Sequence, residues 1–262
     1  MARTKSKWAA ISCIHAPFQR EEPFEKLLGR LEENGPFGRL NDFIILGDLL
    51  ENATSSIHPN EYEHTLAEEY ESAANYIEEI RKRLPRKCRL HWMLGNHDDN
   101  LQVKDSRRTN RSTRDLIHWM ESKWQPVFAR WKQYPYIKPS RHNQSGVLRI
   151  GQCCFIHGWD AGQNSDEIEC LQTVNAVGGH SHVLVCRGHT HTPKRVTQCR
   201  KTGKVSLPFY YANAGTMGPL QPDYMARKDC SGWNAAVIWG ECMNDTLSRF
   251  AGVEWSAEVE TL

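Results

Sequence analysis

Three consecutive polar residues, Asn96, His97 and Asp98, follow Gly95 and an apolar run at residues 90–94. An amide, an imidazole and a carboxylate packed so closely are too polar for a protein core. The asparagine offers a carbonyl oxygen to a hard cation, and a histidine held against an aspartate can donate a proton near neutral pH. The tetrad alone is weak evidence, because a Gly-Asn turn at any strand end has the same composition.

Side chains that can hold a metal ion follow five apolar runs of the chain, of which the run at residues 90–94 is the third. They are Cys13 and His15 after the first run, Asp48 after the second, Asn96 and His97 after the third, His157 after a fourth, and His189 and His191 after a fifth. Segments whose apolar residues recur at helical spacing separate the first three runs. The pattern therefore predicts a βαβαβ unit with a parallel sheet. Open α/β sheets bind ligands outside the carboxyl ends of their strands. We therefore expect these side chains to meet at one edge of the sheet, which we call the rim.

The remaining histidines have positions that do not fit this rim. Gly179-His180-Ser181-His182 has suitable chemistry but precedes its strand, so it is expected at the opposite edge as a structural turn. His58, His64, His91, His118 and His142 lie in predicted helices, in a strand or in a loop, and we expect them to be solvated or packed.

Periodicity predicts an alternation of strands and helices along most of the chain. Strands are predicted at 8–14, 43–46, 90–94, 147–150, 153–156, 183–186, 208–212 and 233–239, and helices at 22–33, 60–84, 112–132 and 165–176. Residues 99–146 are irregular and polar apart from one helix. We interpret this segment as a cap inserted into a single domain that covers residues 1–262.

Composition agrees with one globular domain. The chain has 262 residues, 39% of them hydrophobic, and it contains no run near the roughly 18 apolar residues of a transmembrane helix. The basic start is followed by a short apolar stretch without a cleavage site, so we expect a cytoplasmic protein rather than a secreted one. The nine cysteines, an odd number at irregular spacings, form neither a disulfide framework nor a CxxC zinc pattern. Reduced thiols fit that compartment.

A net charge of +2 argues against a surface built throughout for nucleic acid, but the positive charge is clustered. One cluster, Arg81, Lys82, Arg83, Arg86 and Lys87, ends a predicted helix and complements its dipole. A second cluster, Lys104, Arg107, Arg108, Arg111 and Arg114, follows the tetrad. If it faces the rim, Arg107 and Arg108 would bind a substrate with more than one phosphate, such as a nucleotide or a nucleic-acid end. The alternative is a solvated cationic surface.

The order and strand-end placement of these motifs resemble the calcineurin-like metallophosphoesterase superfamily over about residues 8–216. The long acidic helix after the second motif and the Asn-Ala-Gly-Thr element at 213–216 look most like bacterial and phage-encoded members. The resemblance implies an α/β fold of four layers, an α-β-β-α sandwich of two mixed sheets. One position departs from the family, which has an aspartate where this chain has Cys13.

The resemblance also implies a site for two divalent transition metal ions, Mn, Zn or Fe. Asp48 would bridge both ions, with Cys13, His15 and His191 completing the first position and Asn96, His157 and His189 the second. Two cations about 3.5–4 Å apart can hold the attacking and leaving oxygens of a displacement and acidify a shared water. His97 would protonate the leaving oxygen or stabilise the developing charge, with Asp98 fixing its tautomer. Glu51 would support a ligand or serve a structural role. A Cys13 thiolate would favour Zn or Fe.

Two functions follow from this pattern. The first is metal-dependent hydrolysis of a phosphate ester by a metal-bound hydroxide, with no membrane partner and with a nucleotide or nucleic acid as one candidate substrate. The alternative is a catalytically impaired descendant that keeps the fold as a binding or scaffolding surface, because Cys13 has weakened one metal position. Retention of every other implied residue, including His97, favours the first function.

Overall fold

The computed structural model describes residues 4–52, 64–99, 111–178, 182–200, 208–222, 225, 229–243 and 253–262, without the side chains of 111–117, 120 and 121. Its strands are β1 (Lys5–Ile11), β2 (Asp42–Ile45), β3 (Arg89–Met93), β4 (Lys132–Tyr134), β5 (Leu148–Ile150), β6 (Cys153–Phe155), β7 (Leu184–Arg187), β8 (Lys194–Gln198), β9 (Tyr210–Asn213), β10 (Ala236–Met243) and β11 (Trp255–Thr261). Its longer helices are α1 (Glu21–Glu32), α2 (Leu66–Arg83), α3 (Arg111–Phe128) and α4 (Ser165–Ala176).

The strands form two mixed sheets, as predicted. The first sheet has the order β11-β10-β1-β2-β3-β4, and its strands from β1 to β4 are parallel neighbours. The second has the order β5-β6-β7-β9-β8, with a parallel centre formed by β6, β7 and β9. The parallel strands explain why polar residues after β1, β2, β3, β6 and β7 can reach one rim.

Side chains along the buried strands point alternately to the two faces of each sheet, and this alternation separates the four layers. In β2, Phe43 and Ile45 face the cluster that includes residues of α1 and α2, whereas Ile44 faces the other sheet. Between the sheets, the Trp8 and Phe155 rings pack edge to face with centroids 4.8 Å apart. Residues of β6 and β7 pack with α4 in a third cluster. The order of layers is therefore α-β-β-α, which confirms the predicted fold class.

Helix α2 has clear start and stop signals. Thr65 and Glu68 form a capping box at its N-terminus, which satisfies backbone N–H groups that lack helical partners. At the other end, the Arg81 guanidinium donates to the carbonyls of Leu84 and Pro85. The first basic cluster thus supports a helix end, as predicted.

The segment predicted as a cap contributes to the first sheet and its helical layer. Helix α3 ends at Phe128, whose ring packs against Tyr70 of α2 at 5.9 Å, and the chain continues into β4. Strand β4 pairs with β3 in parallel and extends the sheet. The prediction of helix through residue 132 was wrong at this end. Within the described residues, no helix combines the length and apolar character needed to cross a membrane.

The sequence pattern does not predict β4, β8 or β11, because each is a sheet-edge strand. Such strands bury little side-chain surface, and β8 is mostly exposed and begins with Lys194 and Arg195. The first strand also ends earlier than predicted, at Ile11. Cys13 and His15 both adopt φ 53°, so the chain has left the extended conformation before it reaches them.

Candidate metal centre

The loops after β1 and β2 are joined along the rim by backbone hydrogen bonds. The Cys13 N–H donates to the Gly47 carbonyl at 3.0 Å, and the His15 N–H donates to the Asp48 carbonyl at 2.9 Å. These bonds hold Cys13 and His15 beside Asp48. All three residues are buried.

A first group of four potential ligands contains Cys13, His15, Asp48 and His191. Their ligand atoms all lie within 4.8 Å of one another. His15 Nε2 lies 3.2 Å from His191 Nε2 and 3.9 Å from Asp48 Oδ2. The ring of Trp233 covers His191, with centroids 4.2 Å apart.

A second group shares Asp48 with the first. His157 Nε2 lies 3.1 Å from Asp48 Oδ2, 3.1 Å from Asn96 Oδ1 and 3.2 Å from His189 Nδ1. Asp48 Oδ2 thus stands between His15 on one side and His157 on the other. The structure brings together all seven residues predicted to bind metal.

The ligand atoms converge in a way that suits cations. His157 Nδ1 lies 2.6 Å from the Leu46 carbonyl and donates to it, so in the neutral ring Nε2 carries the lone pair. This lone pair faces oxygen atoms of Asp48 and Asn96 that are also acceptors. Such a cluster repels itself unless a proton or a cation lies among the atoms. Nitrogen, oxygen and sulfur donors together fit a divalent transition metal such as zinc or iron.

The pKa values of the buried groups reflect the same crowding. Burial lowers the pKa of His157, but the Asp48 carboxylate outweighs it and raises the pKa to about 9. Burial would raise the pKa of Asp48, yet the charges on His157, His97 and His15 hold it well below its usual range. Burial and the His157 charge lower the pKa of His189 to about 3. The centre is therefore a buried carboxylate that attracts positive charge, surrounded by imidazoles that cannot all be protonated.

Cys13 presents its sulfur to the first group. The His189 N–H donates to Cys13 Sγ at 3.3 Å, and Ser12 Oγ lies 3.0 Å from the same sulfur. Both contacts can stabilise the thiolate, which is the form of cysteine that binds metal.

The loops that carry the ligands are strained and tightly packed. Cys13, His15, Asp48, His189 and His191 all have positive φ angles, a conformation that costs non-glycine residues energy and clusters at functional sites. Two glycines make the close approach possible: a Cβ on Gly47 would overlap the His157 ring, and one on Gly95 would overlap the Asp48 carboxylate.

The family model for calcineurin-like phosphoesterases matches residues 7–193, which include all seven candidate ligands. The chain belongs to the calcineurin-like phosphoesterase family. No relative among curated proteins matches the sequence.

Solved structures similar to this calcineurin-like phosphoesterase are distant in sequence. A phosphatase from Mycoplasma pneumoniae has 8% identity and a TM-score of 0.43, with 99% of this chain and 95% of that chain covered. A 5'-nucleotidase precursor from Thermus thermophilus has 11% identity and a TM-score of 0.44, with coverage of 99% and 55%. A calcineurin-like phosphoesterase from Bacillus subtilis has 9% identity and a TM-score of 0.34, with coverage of 99% and 91%.

In this calcineurin-like phosphoesterase, His97 lies beside the metal-ligand groups and Glu51 holds it. His97 Nδ1 donates to the Glu51 carbonyl at 2.9 Å, and the His97 N–H donates to Asp48 Oδ1 at 3.0 Å. The Glu51 carboxylate lies 2.6 Å from His15 Nδ1. Glu51 therefore contacts both His97 and His15, and its role as a support for a metal ligand stays a prediction.

The predicted pairing of Asp98 with the His97 ring is wrong. Asp98 Oδ1 accepts from the Leu50 N–H at 2.9 Å, and Oδ2 accepts from the Gly95 N–H at 2.9 Å and from Trp92 Nε1 at 3.2 Å. Residues 96–99 form a helical turn, so neighbouring side chains point in different directions. Burial and the Asp48 carboxylate raise the pKa of Asp98 to about 6. Asp98 therefore ties the loops together, and Glu51 holds the His97 ring.

The predicted substrate-binding residues Arg107 and Arg108 lie outside the described residues, as do Lys104, His58 and His180; the side chains of Arg111 and Arg114 are not described either. Among the other histidines, His91 is buried and contacts Asp42 and Tyr134, which confirms that it is a packed residue. His118 is exposed.

The sequence pattern does not identify two aromatic residues that lie beside the candidate ligands. Trp233 covers His191, and the Tyr136 ring packs against the His157 ring with centroids 5.8 Å apart. Tyr136 follows the end of β4, which is the same signal that identified the ligands, but the edge strand itself was not predicted.

Proposed function

We propose that this family member hydrolyses a phosphate ester at a site for two divalent metal ions. The observation that carries the proposal is the position of Asp48 Oδ2, 3.9 Å from His15 Nε2 and 3.1 Å from His157 Nε2. One carboxylate oxygen is shared by two sets of buried donors. Such an arrangement suits two cations with a bridging ligand.

The residues that would hold the ions divide into two sets. Cys13, His15 and His191 belong to the first position, Asn96, His157 and His189 to the second, and Asp48 to both. When bound, the ions would neutralise charge on the phosphoryl group and acidify a water molecule. The Cys13 sulfur favours Zn or Fe over Mn at the first position, because a thiolate is a softer donor than a carboxylate.

The residues around the ions supply the proton chemistry. Donation from Nδ1 to the Glu51 carbonyl leaves His97 Nε2 as the atom that can carry a proton and release it to the leaving oxygen. The Glu51 carboxylate lies 3.5 Å from the same Nδ1 and stabilises positive charge on the ring. The proposed general acid is therefore His97, held by Glu51 instead of Asp98.

Turnover of two model substrates tests the proposal. The full chain, loaded in turn with Mn, Zn, Fe, Co and Ni, should hydrolyse p-nitrophenyl phosphate, bis-p-nitrophenyl phosphate or both. Comparison of the two assigns the protein to monoester or diester hydrolysis. Absence of metal-dependent turnover on either substrate would favour the alternative, a binding or scaffolding protein with this fold.

The finer proposal concerns the organisation of the chain and its substrate. We treat residues 1–262 as one domain in which segment 99–146 borders the substrate site, and Arg107 and Arg108 as contacts for a nucleotide or a nucleic-acid end. Neutralising both arginines should then raise KM for such substrates far more than for an aryl ester with one phosphate. An equal rise in KM for both kinds of substrate would indicate that the second basic cluster is a solvated surface.

A further inference from the structure

Tyr136, in the segment between β4 and β5, packs against His157 of the candidate metal centre. Strand β4 lies beside β3, and the Leu94 N–H donates to the Tyr134 carbonyl at 2.8 Å where both strands end. Two residues later, the Tyr136 ring packs against His157 at a centroid distance of 5.8 Å and an angle of 66°. The ring also contacts the main hydrophobic core. Its position at the His157 side is therefore fixed from two directions.

The hydroxyl of Tyr136 has no hydrogen-bond partner among the described residues. Its neighbour Tyr134 differs, because the Tyr134 hydroxyl lies 3.1 Å from His91 Nδ1 in a buried contact. The side chain of Tyr136 is half-buried, with its ring against core residues and against a proposed metal ligand. A half-buried phenol usually places its hydroxyl where a polar partner is available.

The chemistry around Tyr136 indicates what that partner would be. Three nearby groups of the centre face one another: His157 Nε2 lies 3.1 Å from Asp48 Oδ2 and 3.2 Å from His189 Nδ1. A phosphoryl group held there would carry non-bridging oxygens with negative charge, which are strong acceptors for an O–H donor. A tyrosine supplies this donor without adding a charge, since its usual pKa of about 10 keeps it protonated near neutral pH.

We propose that Tyr136 is a substrate-binding residue whose O–H donates to a non-bridging oxygen of the phosphoryl group, on the His157 side of the centre. This inference rests on the proposed function, because it assumes that a phosphate ester binds between the two sets of ligands. It assigns a role in substrate binding to the segment between β4 and β5.

Binding of inorganic phosphate to the metal-loaded full chain tests the inference without turnover. Tyr136→Phe removes the hydroxyl and keeps the ring that packs against His157. Phosphate affinity measured by calorimetry should fall by roughly ten- to a hundredfold, the usual loss when a hydrogen bond to a charged group is removed. Metal content measured by elemental analysis should be unchanged. Tyr134→Phe is the matched control and should leave phosphate affinity at the wild-type value.

Three outcomes would overturn the inference, and they are distinguishable. Wild-type phosphate affinity in Tyr136→Phe, with both metals bound, would show that the hydroxyl does not contact the phosphoryl group. Joint loss of metal and phosphate would make Tyr136 a residue that positions His157. If the wild-type protein binds neither phosphate nor metal and hydrolyses no ester, the proposed function itself is wrong, and the inference falls with it.

Discussion

Glu51 Oε2 lies 2.6 Å from His15 Nδ1, and the backbone carbonyl of Glu51 accepts from His97 Nδ1 at 2.9 Å. One residue thus orients a proposed metal ligand and the proposed general acid. The His15 and His97 rings pack edge to face with centroids 4.8 Å apart. The loop after β2 therefore connects the proposed metal ligand His15 with the proposed general acid His97.

Removing the Glu51 charge should weaken metal binding. Glu51→Gln keeps the size of the side chain but loses the carboxylate that holds His15. We expect metal affinity to fall by roughly 10- to 100-fold, the usual effect of losing such a partner. Titration of the purified wild type and variant with metal measures this affinity. Glu241→Gln, at a peripheral ion pair with Lys5, is the control; equal affinity in both variants would remove Glu51 from the metal centre.

Replacing His97 should reduce turnover while leaving metal bound. His97→Asn should lower kcat by roughly 10²–10⁴-fold, the range for general acid catalysis. The loss should be smaller for substrates with leaving groups of low pKa, which depart without a proton. Steady-state kinetics over a series of aryl phosphates, together with metal analysis, provides the test. Parallel loss of metal and activity would instead identify His97 as a ligand.

Substitution of Cys13 tests whether sulfur binds metal. Cys13→Ala should lower occupancy of the first position, and Cys13→Asp should restore it with a shift towards Mn, because a carboxylate is a harder donor. A sulfur-to-metal charge-transfer absorption in the Co(II)-loaded wild type should vanish in both variants. Mild oxidation should inactivate the wild type alone. If alanine matches cysteine in metal content and rate, Cys13 is a buried apolar residue that does not bind metal.

A methyl group at Gly95 should disturb the shared carboxylate. The Cβ of Gly95→Ala would overlap Asp48 Oδ1, and relief of such overpacking typically costs about 1–3 kcal/mol. We expect metal affinity and unfolding free energy both to fall. Gly29→Ala is the matched control, because nothing lies within 4 Å of its Cβ and it sits within α1. That variant should be as stable as the wild type or more so, and similar losses in both variants would contradict the overlap.

Stability at low pH should depend on Asp42 at the start of β2. Burial would raise the pKa of Asp42, but hydrogen bonds from His91, Arg89 and Ser6 outweigh it and lower the pKa to about 2. A lowered folded-state pKa stabilises the fold above the unfolded value of about 3.9, by roughly 2 kcal/mol. This contribution is lost as the pH falls from about 4 to about 2.

Urea unfolding at several pH values checks this expectation. The difference in unfolding free energy between the wild type and Asp42→Asn should narrow over that pH interval. Glu25→Gln at an exposed position of α1 serves as the control, with a small difference from the wild type at each pH. If the difference in unfolding free energy between the wild type and Asp42→Asn stays constant with pH, ionisation of the Asp42 carboxylate does not stabilise the fold.

The sequence pattern alone predicted that the seven proposed ligands lie at one edge of a parallel sheet, for a physical reason, whereas the expectation of two sheets came from the family resemblance. Central parallel strands are buried on both faces, so they appear as short apolar runs, and the polar residues that follow them must lie at the same edge. Asp48 and His157 are 109 positions apart in sequence, yet each follows such a run, and the fold brings their side chains to 3.1 Å.

Only the tertiary structure decided which side chains meet across loops and which strands lie at the edges. Asp98 is adjacent to His97 in sequence but turns to the backbone of Leu50, and Glu51 takes its place through a separate loop. Tyr136 reaches His157 from β4, an edge strand of three residues whose polar sequence leaves no apolar run. Strand ends follow from hydrophobic pattern, whereas contacts between loops depend on backbone angles and side-chain directions that no periodicity records.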